Sequence, residues 1–153
     1  MIARSIGLAI ATLAVLGCDQ ANKAEPPTEP TVSTAVLTEE TAKSSTEEWG
    51  EFVEYFGGET QGLSDLLSGT ATIKPGLEIH PPHKHAEEEF LMVLEGEGEW
   101  SVGGKTFTAT AGDMLYAAAW DVHGIKNTGE EPLKFVFWKA HPKGMPVPVD
   151  PAL

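Results

Sequence analysis

Two histidines two residues apart, with a carboxylate four residues further on, limit this chain more than any other feature. They are His83, His85 and Glu89. In an extended strand, residues i and i+2 point to the same side. His83 and His85 can therefore present two imidazoles to one point. Between His85 and Glu89 there is room for the chain to turn and start a new strand, so the carboxylate can join them. His123, much later, can return to the same place. Three imidazoles and a carboxylate make a mixed nitrogen and oxygen set that suits one divalent ion such as iron, manganese, nickel, zinc or cobalt. The other two histidines have weaker claims. His80 is expected at the mouth of the site or simply exposed, and His141 has no evident partner.

The chain around these residues reads as strands and turns. From Trp49 onward, apolar and β-branched runs of three to nine residues are broken by glycine at most joints. The runs are 49–56, 66–74, 88–94, 100–102, 105–110, 114–117, 122–127 and 133–140. Gly103-Gly104 is a two-residue hairpin signal. About eight short strands at this spacing predict an antiparallel sandwich or barrel. The pattern alone also allows an immunoglobulin-like sandwich.

The spacing resembles the cupins. Their first motif is G(X)5HXH(X)3-4E(X)6G. Here six residues rather than five separate Gly76 from His83, and the rest follows: His83, His85, Glu89, Gly96. Their second motif is G(X)5PXG(X)2H(X)3N. After Gly112, Ala118 stands at the proline position and Trp120 at the glycine position, and then His123 and Asn127 fall in register. The resemblance covers roughly residues 50–140. It implies an all-β fold, the double-stranded β-helix (jelly roll) of the cupin barrel, with His83, His85, Glu89 and His123 as metal ligands. It selects Glu89 over its neighbour Glu88, which shares the opposite strand face with Phe90 and Met92. Asn127 lies on the His123 face and is expected to support it by a hydrogen bond. Leu91, Trp100, Tyr116 and Ile125 are expected to line the pocket, with the Tyr116 hydroxyl available to a substrate.

The resemblance says less about the reaction, because one fold hosts many activities. It implies a metalloenzyme acting on a small organic molecule, with a dioxygenase as the leading class and an isomerase or hydrolase behind it. The alternative is a cupin that binds or senses a small molecule without converting it. No Ser–His arrangement suggests a triad, so any chemistry falls to the metal. Cupins commonly pair, so a homodimer is expected, with Trp49–Phe56 and the Phe90–Met92 face as candidate surfaces.

The N-terminus speaks of export. Ile6–Leu16 is an apolar run of eleven residues after Arg4. That is too short to span a bilayer, which takes about 20 residues, and is the size of a signal-peptide core. It ends in Val15-Leu16-Gly17-Cys18, which resembles the lipobox of bacterial lipoproteins. In that family the signal, here residues 1–17, is removed and the cysteine carries lipid. Cys18 is the single cysteine of the chain, so no internal disulfide is possible. The expected location is the bacterial cell envelope, at its periplasmic or extracellular face. Residues 18–48 are rich in Pro, Thr, Ser and Glu and lack aromatics, which predicts a flexible tether reaching on the order of 30 Å. The cupin domain is expected over 49–141 and a proline-rich tail over 142–153. With 23 acidic and 10 basic side chains the formal net charge is −13, which argues against nucleic acid as a partner.

Overall fold

Alternation explains the strands. In Glu89, Leu91 and Val93, or in Leu133, Phe135 and Phe137, every second side chain is buried while the residues between them are not. A period of two gives a strand one apolar face and one wetter face. Each fully buried Leu or Phe is worth about 1.5–3 kcal/mol, so one such strand is a large part of a small domain's stability.

The computed structural model describes residues 29–153, and among them it is all β. The strands are β1 Lys43–Thr46, β2 Gly50–Gly57, β3 Leu63–Ile73, β4 Glu88–Glu95, β5 Glu97–Val102, β6 Lys105–Thr110, β7 Met114–Ala117, β8 His123–Lys126 and β9 Leu133–Pro142. Two antiparallel sheets form, one ordered β1-β2-β3-β9-β4-β7 and the other β6-β5-β8. Their inner faces share a core that includes Ile73, Val93, Trp100, Leu133 and Phe135. This is a double-stranded β-helix, the jelly-roll cupin barrel.

The chain passes from one sheet to the other at Gly96, which joins β4 to β5 with φ +80°. A Cβ there would lie 2.4 Å from the Pro132 carbonyl oxygen. Both the left-handed backbone and the close approach of the β9 entry call for glycine.

The strand expectations of the sequence recur in β2–β9, and one segment departs from expectation. Lys43–Thr46, expected within the flexible tether, is β1 and pairs with Glu51–Glu54 of β2. All four of its side chains are exposed. It is held by backbone hydrogen bonds, which leave no mark in composition. Upstream, Val32 N–H donates to the Glu59 carbonyl at 2.9 Å, and Lys134 pairs with Glu39 at 2.9 Å. Much of the tether's second half thus lies against the barrel. Cys18 and the signal segment fall outside the described residues.

Candidate metal centre

Three chain segments carry the ligands: the β3–β4 loop, β4 and β8. The loop between β3 and β4 carries His80, His83 and His85. It is no regular strand, yet it is fixed by backbone pairing to β8 and its approaches. His83 and His123 exchange reciprocal N–H to C=O bonds, both 2.9 Å. Further bonds run from Trp120 N–H to His85 O, Asn127 N–H to Leu77 O and Gly76 N–H to Asn127 O, at 2.7, 2.9 and 3.0 Å. The imidazoles converge because the backbones beneath them are tied together. Glu89 is the second residue of β4 and turns inward in line with Leu91 and Val93.

The four side chains offer ligand atoms that all lie within 4.8 Å of one another. Donors held at about 2.0–2.2 Å from an ion lie at most about 4.4 Å apart, so the set is within a few tenths of an ångström of closing on a cation. Glu89 Oε2 stands 3.0 Å from His85 Nε2 and 2.8 Å from His123 Nε2. The far side of each of these rings is tied to the backbone. His85 Nδ1 donates to the Glu87 carbonyl at 3.0 Å and His123 Nδ1 to the Asp121 carbonyl at 2.8 Å. Those bonds fix the ring orientation and turn each Nε2 toward the common centre. His83 Nδ1 is buried without a hydrogen-bond partner.

The electrostatics agree with this. Burial, with the positive neighbours His80, His123 and His85, lowers the His83 pKa to about 4, so the ring stays neutral and able to ligate. Burial pushes the Glu89 carboxyl up, but the hydrogen bonds and charge of His123 and His85 outweigh it and leave the pKa at about 2. Burial also pulls His123 down. The Glu89 bond, the Asp121 carbonyl and both carboxylates outweigh that and raise it. An ionised carboxylate ringed by three imidazoles is a donor set for one divalent ion.

A cavity of about 140 Å³ opens over the centre. Its wall includes Phe52, Leu67, Ile79, Leu91, Ile125, Phe135 and Phe137, with His80 and Lys139 as polar groups besides the four ligands. The His80 ring lies 4.0 Å from that of His83. Of the expected pocket residues, Leu91 and Ile125 line the cavity. Trp100 does not; it is buried in the core on the small sheet. Tyr116 does not either. It is 49% exposed, and its hydroxyl donates to Glu88 Oε1 at 2.8 Å. Tyr116 pairs directly with Phe90 across β7 and β4, so both lie on the outer face, opposite to Glu89.

Asn127 is not in contact with His123. Its Nδ2 donates to the carbonyls of Ile73 and Glu131, both at 2.8 Å, and its Oδ1 accepts from Gly129 N–H at 2.9 Å. It fastens the β8–β9 turn to the end of β3. The groups that brace the ligand rings are backbone carbonyls, which sequence motifs do not reveal. Lys139 also escapes a motif reading, though alternation carries the signal: it follows Phe135 and Phe137 on one face of β9.

Trp120, at the position where the cupin motif has glycine, adopts the glycine-like backbone, φ +67°. A left-handed residue other than glycine costs roughly 1–2 kcal/mol. Two contacts hold it: its own N–H bonds to His85, and its indole Nε1 donates to Pro148 O at 2.8 Å. Nearby, Lys84 Nζ pairs with Asp150 at 2.6 Å. The C-terminal tail is thus pinned beside both ligand-bearing loops.

An antiparallel β-barrel with three histidines and one glutamate converging on one point defines a class, the jelly rolls with a candidate metal centre. Residues 69–139 match the Cupin_2 family model, a cupin domain. A gentisate 1,2-dioxygenase from a Streptomyces species is 35% identical over 60 residues, covering 39% of this chain and 17% of that protein. A 5-nitrosalicylic acid 1,2-dioxygenase from a Bradyrhizobium species is 31% identical over 77 residues, covering 48% and 37%. The chain spans well under half the length of these two curated relatives. Among solved structures, an RmlC-like cupin from Shewanella frigidimarina shares the fold with a TM-score of 0.59 at 17% identity, over 76% of this chain and 97% of that one.

Proposed function

We propose that this protein is a metal-dependent cupin dioxygenase that acts on a small organic molecule outside the cytoplasm. The observation that carries the reading is the His83, His85, Glu89 and His123 set, which opens directly onto an apolar cavity. The dioxygenase names of the two relatives support the reaction class. A bound iron or nickel ion would supply the redox centre, and both atoms of dioxygen would enter the substrate, so no outside reductant is needed. The chain's own part is to hold the ion through the four ligands and to seat the substrate against Phe52, Leu91 and Phe137. The same apolar wall limits water.

The test joins elemental analysis to oxygen uptake across phenols, thiols and diketones. The expected result is one equivalent of iron or nickel and uptake with at least one substrate class, both lost in a His83→Ala, His123→Ala double variant. Protein that retains no ion after loading with excess iron, manganese, nickel and zinc in turn would sink the reading. One observation favours a second reading, a cupin that binds its ligand without converting it: outside the ligand set, the cavity wall carries only His80 and Lys139 as polar side chains. Ligand-induced thermal stabilisation without turnover would select it.

The location and assembly belong to the same proposal. The lipobox-like run before Cys18 supports a lipid anchor, and fatty-acid labelling abolished by Cys18→Ser is the expected result. The outer face of β4, β7 and β9 carries a stack of Phe90 on Trp138, with ring centroids 5.1 Å apart, beside Tyr116. That face supports a homodimer, and sedimentation as a monomer at micromolar concentration would refute it.

A further inference from the structure

Lys139 is a part-buried cation that meets no carboxylate within ion-pair distance among the described residues. It sits on β9 directly opposite Glu89 of β4 on one side and Leu67 of β3 on the other. Directly paired residues share a sheet face, and Lys139 lines the cavity beside the metal centre. Three other part-buried lysines among the described residues each meet a carboxylate: Lys84 with Asp150 at 2.6 Å, Lys134 with Glu39 at 2.9 Å and Lys143 with Glu59 at 2.6 Å. Lys139 meets none. Glu89, its cross-strand neighbour, is engaged by His85 and His123 instead.

Even partial removal of an ammonium from water has a cost when no partner replaces the lost hydration. In a chain of net charge −13, selection for solubility does not need a cation in an apolar cavity. An anionic ligand would remove the cost. The overall charge repels anions at long range, so a local cation must do the holding. The size of the site sets the rest. The cavity holds about 140 Å³, and an apolar cavity of about 150 Å³ accepts a single benzene ring. Phe52, Leu67, Leu91 and Phe137 offer the apolar wall for such a body.

We propose that Lys139 anchors the carboxylate of a small monocarboxylic acid whose apolar body, one ring or a chain of similar size, lies against Phe52 and Phe137 above the metal ligands. This deepens the proposed dioxygenase by naming its substrate class, and it rests on this cavity being the substrate site.

Calorimetry on the metal-free full chain tests it, because a carboxylate then has no ion to bind. The probes are propionate, hexanoate and benzoate, each beside its neutral amide. Wild-type protein should bind at least one acid about tenfold or more tighter than its amide, the scale of one charge-assisted hydrogen bond. Lys139→Met should lose that preference, while Lys139→Arg should keep most of it. The proposal is overturned if wild type binds acid and amide alike, if it binds none of the acids, or if Lys139→Met holds the acid as tightly as wild type. The unfolding midpoint of each variant shows whether it is folded, and the acid–amide comparison on wild type stands even if Lys139→Met is not. Acid preference without oxygen uptake would defeat the dioxygenase reading and leave Lys139 as the anchor. Oxygen uptake without acid preference would do the reverse.

Discussion

Replacing Asn127 should cost stability and spare the metal. The side chain is fully buried, at 0% exposure, and makes three hydrogen bonds. Alanine leaves the buried Ile73 carbonyl without this donor, which costs about 1–3 kcal/mol. The bonds to Glu131 and Gly129 are part-buried, so water can replace them at about 0.5–1.5 kcal/mol each. The sum for Asn127→Ala is about 2–6 kcal/mol, against a typical domain stability of about 5–15 kcal/mol. Asn127→Asp should be worse at neutral pH, because it turns carboxylate oxygens toward two carbonyls. That carboxyl would have a raised folded-state pKa, so acidification should narrow the gap to Asn127→Ala. Urea unfolding gives the stabilities, and elemental analysis of the folded protein gives the metal. His123 stands at the far end of β8, so metal per folded chain should equal that of wild type. A loss below about 1 kcal/mol would refute the hydrogen-bond reasoning. Metal lost at intact stability would show that Asn127 supports His123 after all.

Other perturbations follow from the same structure. Gly96→Ala forces a side chain into a left-handed backbone and against Pro132 O, and should destabilise by about 2 kcal/mol or more in urea unfolding. In the metal-free protein the Glu89 pKa is depressed from 4.5 to about 2. Its stabilisation is therefore present above about pH 4.5 and lost as pH falls toward 2, so the midpoint difference between wild type and Glu89→Gln should shrink across that window. The hydrogen bond from Lys84, then that from Ala152 N–H, holds the Asp150 carboxyl below its ordinary value. Asp150→Asn, or acid below that range, should release the tail and speed its proteolytic trimming. The urea-unfolding midpoint of the barrel should change little, because the pair ties down the tail rather than the core.

The strands and the ligands were legible because both depend on short-range periodicity. Glycines at the joints, alternation in β4 and β9, and the spacing of His83, His85 and Glu89 are all local. What was hidden depends on partners distant in sequence. Tyr116 looks inward as part of an apolar run, but its pairing with Phe90 puts it outside. Trp100 is large enough for a pocket wall, yet it fills the core on the small sheet. Asn127 shares a strand direction with His123, but its amide is taken by Ile73 and Glu131. β1 carries only polar side chains and is held by a ladder that composition cannot express. Trp120 stands at a glycine position and keeps the glycine's backbone, because the bonds to His85 and Pro148 compensate.

The order of strands in the large sheet has a consequence in time. β9 lies between β3 and β4, and it is the last strand among the described residues. At about 5–20 residues per second of synthesis, the 60 residues from Ile73 to Leu133 take on the order of 3–12 s. During that interval β3 keeps an open edge, and β4 emerges without the partner that will lie between them. The large sheet is continuous only when residues 133–142 slot between them, so the barrel closes only once β9 has been made. Such a chain depends on protection from aggregation while it waits, and a ribosome stalled before residue 133 would hold an unclosed sheet rather than a smaller barrel.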